Sequence, residues 1–302
     1  MTGTHASDLN ELACLYFLNK ETWLHPDDEA LFREKAGLVK TGVSKESVTV
    51  QVERGRAQAQ ALRIYAIEQG YRIGRALWVS RIGCLQSYIP WASVGHPADI
   101  LLELYGVPGA VDYLGVSLKS RKSKEDTVGL RNPGLGTLED ALSVPLVPIV
   151  DKAVEFAIET YGLPESQDAR KKALRGAGEV RTQTTALGSL VLSDVREAIL
   201  DATVAMSNDE LRSIIQNTLM DMDVRTTPKY VRVVGTGNLV TGFKAEVHDP
   251  FAVTLPEPIT VQRVGTDSIG FLANGGRVCL LRAKWESEKL ASSLKFSVDP
   301  WR

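Results

Sequence analysis

Residues 96–122 read HPADILLELYGVPGAVDYLGVSLKSRK, and their reading decides the fold. Two apolar runs, ADILLELYG (98–106) and DYLGVSLKS (112–120), flank Val107-Pro108-Gly109, a turn-forming triplet. Both runs read as strands. Side chains two apart share a face of a strand, so Ser117 and Lys119 point one way while Val116 and Leu118 point the other. On the neighbouring strand Asp99 points with Leu101 and Glu103. If the two strands pair through the short 106–111 connection, Asp99 and Lys119 come close together.

A carboxylate beside a lysine, both on rigid strands, suits metal-assisted phosphodiester hydrolysis. The carboxylate holds Mg²⁺ through oxygen. The metal polarises a phosphate and lowers the pKa of a bound water. The lysine positions or activates that water and offsets charge building on the phosphate. The plain alternative is a simple ion pair, the commoner meaning of an acid and a lysine on adjacent strands.

Outward from this stretch the chain alternates in character. DLNELACLYFLN (8–19) repeats Leu9, Leu12, Leu15 and Tyr16 at three and four, an amphipathic helix with Glu11 in its first turn. Residues 20–40 read as charged and irregular. A long helix is expected from about Lys45 to Gln69, stopped by Gly70. ALWVSRIG (76–83) reads as a strand. From about Leu138 to Asp223 the pattern is helical, with Ser207 and Glu210 spaced as a capping box. From Lys229 onward strands return: KYVRVVGTG, GFKAEVH, ITVQRVG, SIGFLAN and RVCLLRAKW, with a hairpin signal at Asn274-Gly275.

The 96–120 stretch resembles the PD-(D/E)xK nuclease superfamily, whose site is an acid at the end of one strand and an acid-x-Lys on the next. The matching residues are Pro97-Ala98-Asp99 and Ser117-Leu118-Lys119. The wording HPADIL, LGVSLKS and NPGLGT is also similar to uncharacterised phage-encoded members. The resemblance implies an α/β (α+β) fold: a restriction-endonuclease-like mixed central sheet flanked by helices, with a helical insertion and a C-terminal strand-rich segment. The expected divisions are 1–137 (core with the site), 138–225 (helical insertion) and 226–302 (strand-rich part packing on the core). The implied activity is Mg²⁺-dependent hydrolysis of DNA, with Mn²⁺ able to substitute. Asp99 and Glu11 would bind metal, Lys119 would assist the water and Ser117 would shape the site. Many members place a metal-binding glutamate on the first helix, the role Glu11 matches.

Two departures stand out. Ala98 splits the Pro-Asp pair, and Ser117 replaces the second carboxylate. A serine hydroxyl is a poor metal ligand, so another acid must complete the site: Glu11 first, then Glu103, Glu68 and Glu125. Without one, the chain reads as an inactive DNA-binding or assembly protein that keeps the fold. A structural phage component is a third reading that composition allows.

KSRKSKEDTVGLRNPGLGT (119–137) carries Lys119, Arg121, Lys122, Lys124 and Arg131, five positive charges in thirteen positions. Such a cluster would grip phosphates, and its binding would weaken with salt; a solvated loop is the alternative. Asn132-Pro-Gly-Leu-Gly-Thr137 precedes a helix, with Thr137 and Asp140 spaced as a capping pair, and its glycines can present N–H groups to a phosphate. RAKWESEKLASSLKFSVDPW (282–301) mixes Lys284 and Lys295 with Trp285, Phe296 and Trp301, a pattern that serves either a core or nucleic-acid contact. GTGNLVTG (235–242) reads as a hairpin rather than a dinucleotide fingerprint.

Composition sets the outer limits. The chain has 302 residues, 44% hydrophobic and 24% charged, with a formal net charge of −2. It is therefore no general nucleic-acid coat, and a DNA partner would meet a local patch. Three scattered cysteines support neither a zinc knuckle nor a disulfide framework and fit a reducing compartment. No signal peptide is read at the N-terminus, and no run approaches the roughly 18 apolar residues of a membrane span. The expected location is cytoplasmic (host cytoplasm if phage-encoded), with no membrane partner. A homodimer is allowed for, since many endonucleases that cut both strands work in pairs.

Overall fold

The computed structural model describes residues 4–43, 47–81, 84–106, 111–121, 129–176, 178–223, 225–266, 268–287 and 289–301. The chain forms two compact units. The first joins Met1–Val128 to Val224–Val253, and the second joins Gly129–Asp223 to Thr254–Arg302. The strand-rich tail is thus divided between them, because its first two strands complete the sheet of the first unit.

In chain order the first unit contains α1 (Thr4–Leu18), α2 (Pro26–Leu38), α3 (Val48–Glu68), β1 (Arg72–Trp78), α4 (Cys84–Tyr88), β2 (Ile100–Tyr105), β3 (Val111–Arg121), β4 (Tyr230–Asn238) and β5 (Gly242–His248). The five strands lie side by side in numerical order. All neighbours are antiparallel except β3 and β4, which run parallel. A parallel pair needs a crossover instead of a tight turn, and the connection between these two contains the whole of 129–223.

Alternation along each strand decides what covers the sheet. Ile100, Val116, Leu118, Val231 and Val233 pack with Leu12 and Leu15 of α1 and Leu62 and Ala66 of α3. Leu77, Val79 and Leu101 pack instead with Leu85 and Ile89 on the α4 side. The result is the mixed α/β sheet flanked by helices that the resemblance implies.

Several local expectations change. Residues 26–38 form a helix in place of an irregular segment. Pro26 opens α2, and Asp27, Asp28 and Glu29 fill its first turn, where acids favour the helix dipole. No α2 residue is fully buried, so apolar periodicity had nothing to report. The first strand begins at Arg72 and stops at Trp78, short of the 76–83 expected. The turn at 107–109 lies outside the described residues.

The second unit holds α5 (Leu135–Leu142), α6 (Leu146–Tyr161), α7 (Gln167–Gly176), α8 (Gly178–Val204), α9 (Asn208–Ser213) and an antiparallel meander of β6 (Ile259–Val264), β7 (Ser268–Ala273), β8 (Gly276–Trp285) and β9 (Leu294–Pro300). Its core gathers Val195, Ile199, Ile215, Leu219, Phe271, Cys279, Leu281 and Phe296. Ser207 and Glu210 form the expected capping box. Asn274 and Gly275, at φ +48 and +73, make the two-residue hairpin between β7 and β8. Thr137 caps nothing: α5 starts at Leu135 behind Gly134, which offers no side-chain cap. β9 is a strand the sequence reading did not mark. Among the described residues no helix is long and apolar enough to cross a membrane.

Candidate active site

The site begins with how the chain enters β2. The amide of Ala98 donates to His96 Nδ1 at 3.1 Å, and His96 Nε2 lies 2.7 Å from the Pro228 carbonyl. Both ring nitrogens are thus engaged, and the imidazole serves as a peg. Gly115 permits it, since a Cβ there would meet His96 Cε1 at 2.6 Å. Asp99 follows, its backbone held on both sides: its N–H donates to Val116 O at 2.8 Å, and Val79 N–H donates to its carbonyl at 3.0 Å. Its Oδ2 accepts from the Leu118 amide at 2.7 Å.

Glu11, on α1, is 5% exposed. Trp78 Nε1 donates to its Oε2 at 3.0 Å, Ser7 Oγ donates to its Oε1 at 3.2 Å, and the Ser80 side chain adds a further hydrogen bond. Burial raises its pKa against these bonds, and Asp8 repels it. Asp99 feels the same surroundings. Burial and then repulsion from Glu11 push its carboxyl up to about 7, against the attraction of Lys119 and the Leu118 N–H. Asp99, Glu11 and Lys119 therefore share one electrostatic neighbourhood. Lys119 makes no close ion pair among the described residues, so its charge stays available, while its carbonyl accepts from Gln58 Nε2 at 3.0 Å.

Ser117 is 2% exposed. Its partner in the parallel register of β3 and β4 is Arg232, 7% exposed, whose Nη2 donates to the Tyr230 hydroxyl at 3.1 Å. Position 117 thus sits beside a buried cation on the next strand. The other glutamates considered for completing the site are placed elsewhere. Glu103 pairs with Arg75 at 2.7 Å, Glu68 ends α3 in solvent, and Glu125 lies outside the described residues.

Sequence reasoning missed Asp8, Trp78 and Arg232. Asp8 stands one helical turn before Glu11, a signal available in the spacing. It pairs with Lys35 of α2 at 3.0 Å, and Lys35 Nζ lies 3.3 Å from His5 Nδ1. Trp78 and Arg232 gave no signal, because their roles arise from strand neighbours distant in sequence.

The expected nucleic-acid residues are dispersed. Arg121 is held on the sheet, its Nε donating to Thr236 Oγ1 at 2.9 Å and its Nη2 lying 3.6 Å from Glu246. In the second unit Arg131 Nη1 donates to Asn217 O at 2.6 Å and pairs with Asp221 at 3.3 Å. Asn132, Lys284 and Lys295 line one groove of that unit. Lys122 and Lys124 lie outside the described residues.

Among the described residues no group of three or more His, Cys, Asp or Glu could hold a metal ion. The donor set present is two buried carboxylates that repel each other. A hard cation such as Mg²⁺ fits it, since Mg²⁺ is held through one or two carboxylates and keeps several waters.

No protein-family model and no curated protein matches the chain. Among solved structures, restriction endonuclease MspI in complex with its cognate DNA matches over 91% of this chain and 93% of that chain, at 9% identity and a TM-score of 0.33. A likeness that loose carries no argument about the activity of this chain.

Proposed function

We propose that the first unit is a Mg²⁺-dependent endonuclease that hydrolyses DNA phosphodiester bonds. The observation that carries it is Asp99 at the entry to β2, its Oδ2 taken by the Leu118 amide at 2.7 Å next to Lys119, with the buried Glu11 close enough to raise its pKa. A divalent cation would suit two such carboxylates. DNA as substrate follows from the resemblance of residues 96–120.

Asp99 and Glu11 would hold the cation, which supplies positive charge against the phosphate and acidifies water. Trp78, Ser7 and Ser80 hold the Glu11 carboxylate in one orientation. The Leu118 amide holds Asp99 through Oδ2. Lys119 orients the attacking water and offsets charge gathering on the phosphate. Ser117 keeps the floor of the site small beside Arg232. Incubation of plasmid DNA with the protein and Mg²⁺ tests this reading. Cleavage is expected from the wild type and lost in Asp99→Ala and Lys119→Ala; cleavage that persists unchanged in both variants sinks the assignment.

One observation favours a second reading. Ser117 brings no charge, and among the described residues no three-donor group stands in its place. A DNA-binding or assembly protein that has lost the chemistry would bind DNA in a salt-dependent way and cut it with neither Mg²⁺ nor Mn²⁺.

A further inference from the structure

The second unit holds a groove of about 690 Å³ bounded by the first turn of α5, by α6, by Arg170 of α7 and by β8 and β9. Three features make it a place for negative charge. Lys284 and Lys295 are exposed and stand directly opposite each other in the β8–β9 register. Like charges so placed destabilise an antiparallel pair, and neither ammonium has an ion-pair partner among the described residues.

Arg170 is the second feature. It is 7% exposed, and its partners are carbonyls: Nε donates to Leu290 O at 3.3 Å, and Nη1 donates to Pro164 O at 3.1 Å and to Glu165 O. Carbonyls hold a guanidinium in place without cancelling its charge. No carboxylate pairs with it, and its Nη2 makes no hydrogen bond among the described residues.

The third feature is the start of α5. Gly134 provides no side-chain cap, so the first N–H groups stay open, and they carry the positive end of the helix dipole. Against these three, Asp151 is the one carboxylate on the described wall. Val150 and Val154 of α6 add apolar lining. The volume is many times the ~30 Å³ of one water, so a lone inorganic anion would leave the groove mostly open. A chain of phosphates joined by sugars fits both the repeated cations and the apolar wall.

We propose that this groove binds the phosphodiester backbone of a nucleic-acid strand, with Lys284, Lys295 and Arg170 taking phosphate oxygens. It rests on the reading that the chain acts on nucleic acid, but it is built from residues of the second unit and uses neither Asp99 nor Lys119. The test uses the full chain and a short fluorescein-labelled DNA duplex, followed by anisotropy in EDTA so that no cleavage intervenes. Lys284→Ala/Lys295→Ala is expected to bind about tenfold more weakly, with a log–log salt slope reduced by about 2 for two lost phosphate contacts. Lys284→Arg/Lys295→Arg should restore both. Both lysines are exposed, so the melting temperature should hold in both lysine variants.

A double alanine variant with wild-type affinity and slope overturns the proposal. So does a wild type that takes up inorganic phosphate in the groove but no duplex, which would mark a small-anion site. The plasmid assay keeps the two readings apart. A protein that binds through these lysines and never cuts ends the nuclease reading alone. A protein that cuts while its binding ignores Lys284 and Lys295 ends this one alone.

Discussion

The indole of Trp78 donates a 3.0 Å hydrogen bond to Glu11 Oε2, joining the last residue of β1 to the first helix. This bond orients the carboxylate and opposes the rise that burial imposes on its pKa. Trp78→Phe keeps the ring and deletes the donor. Removing such an outer support of a metal ligand typically costs 10–100-fold in affinity or activity. The Mg²⁺ concentration for half-maximal plasmid cleavage should therefore rise by about tenfold or more. An unchanged Mg²⁺ titration in a folded Trp78→Phe protein would show that this carboxylate needs no holding.

Lys119 should matter more to rate than to fold. Its ammonium is half-exposed and makes no close ion pair among the described residues, so Lys119→Ala leaves the core intact. Loss of one electrostatic contact to a transition state costs about 10²–10³ in rate. Single-turnover cleavage should slow by that order while the melting temperature stays near wild type. A slowing of less than about threefold contradicts the role given to it.

Asp99 ties stability to pH. Its carboxyl sits at about 7 in place of the ordinary 3.8. Between those values the folded protein keeps a proton that the unfolded chain releases. Stability therefore falls as pH rises through this window, and the penalty is complete above it. Asp99→Asn still accepts from the Leu118 amide and removes the charge. It should melt above wild type near pH 8, with the gap closing near pH 4. Parallel melting curves across the window would rule out the buried repulsion.

Gly115→Ala should damage the site from behind. The added Cβ would meet His96 Cε1 at 2.6 Å and the Tyr230 Cβ at 3.0 Å. Overpacking of this kind costs about 1–3 kcal/mol. The clash falls on the imidazole that sets the entry to Asp99, so cleavage should drop along with the melting temperature. A fully active, fully stable variant would mean that His96 does not position the acid.

Much of the architecture was legible because it follows from local chemistry. The apolar runs at 98–106 and 112–120, on either side of a turn-forming triplet, mark two strands that meet in antiparallel register. Ser207 and Glu210 form their capping box, and Asn274-Gly275 forms its hairpin, because each needs only residues within reach along the chain. α2 and β9 escaped for opposite reasons. α2 buries none of its side chains fully and so shows no apolar stripe. β9 was hidden among charged and aromatic residues whose pairing depends on β8.

The sequence by itself determined that the acid at 99 leads into one strand and the lysine at 119 lies on the next, because two apolar runs flank a short connection. It also made position 117 a residue without charge. Tertiary structure decided what surrounds them. The parallel pairing of β3 with β4 set Arg232 beside Ser117. The packing of α1 carried Glu11 to Asp99 and placed it under the indole of Trp78. These relations link residues tens to more than a hundred positions apart, where no periodicity reaches. The burial that makes the Asp99 and Glu11 charges costly exists only once sheet and helices have closed on each other.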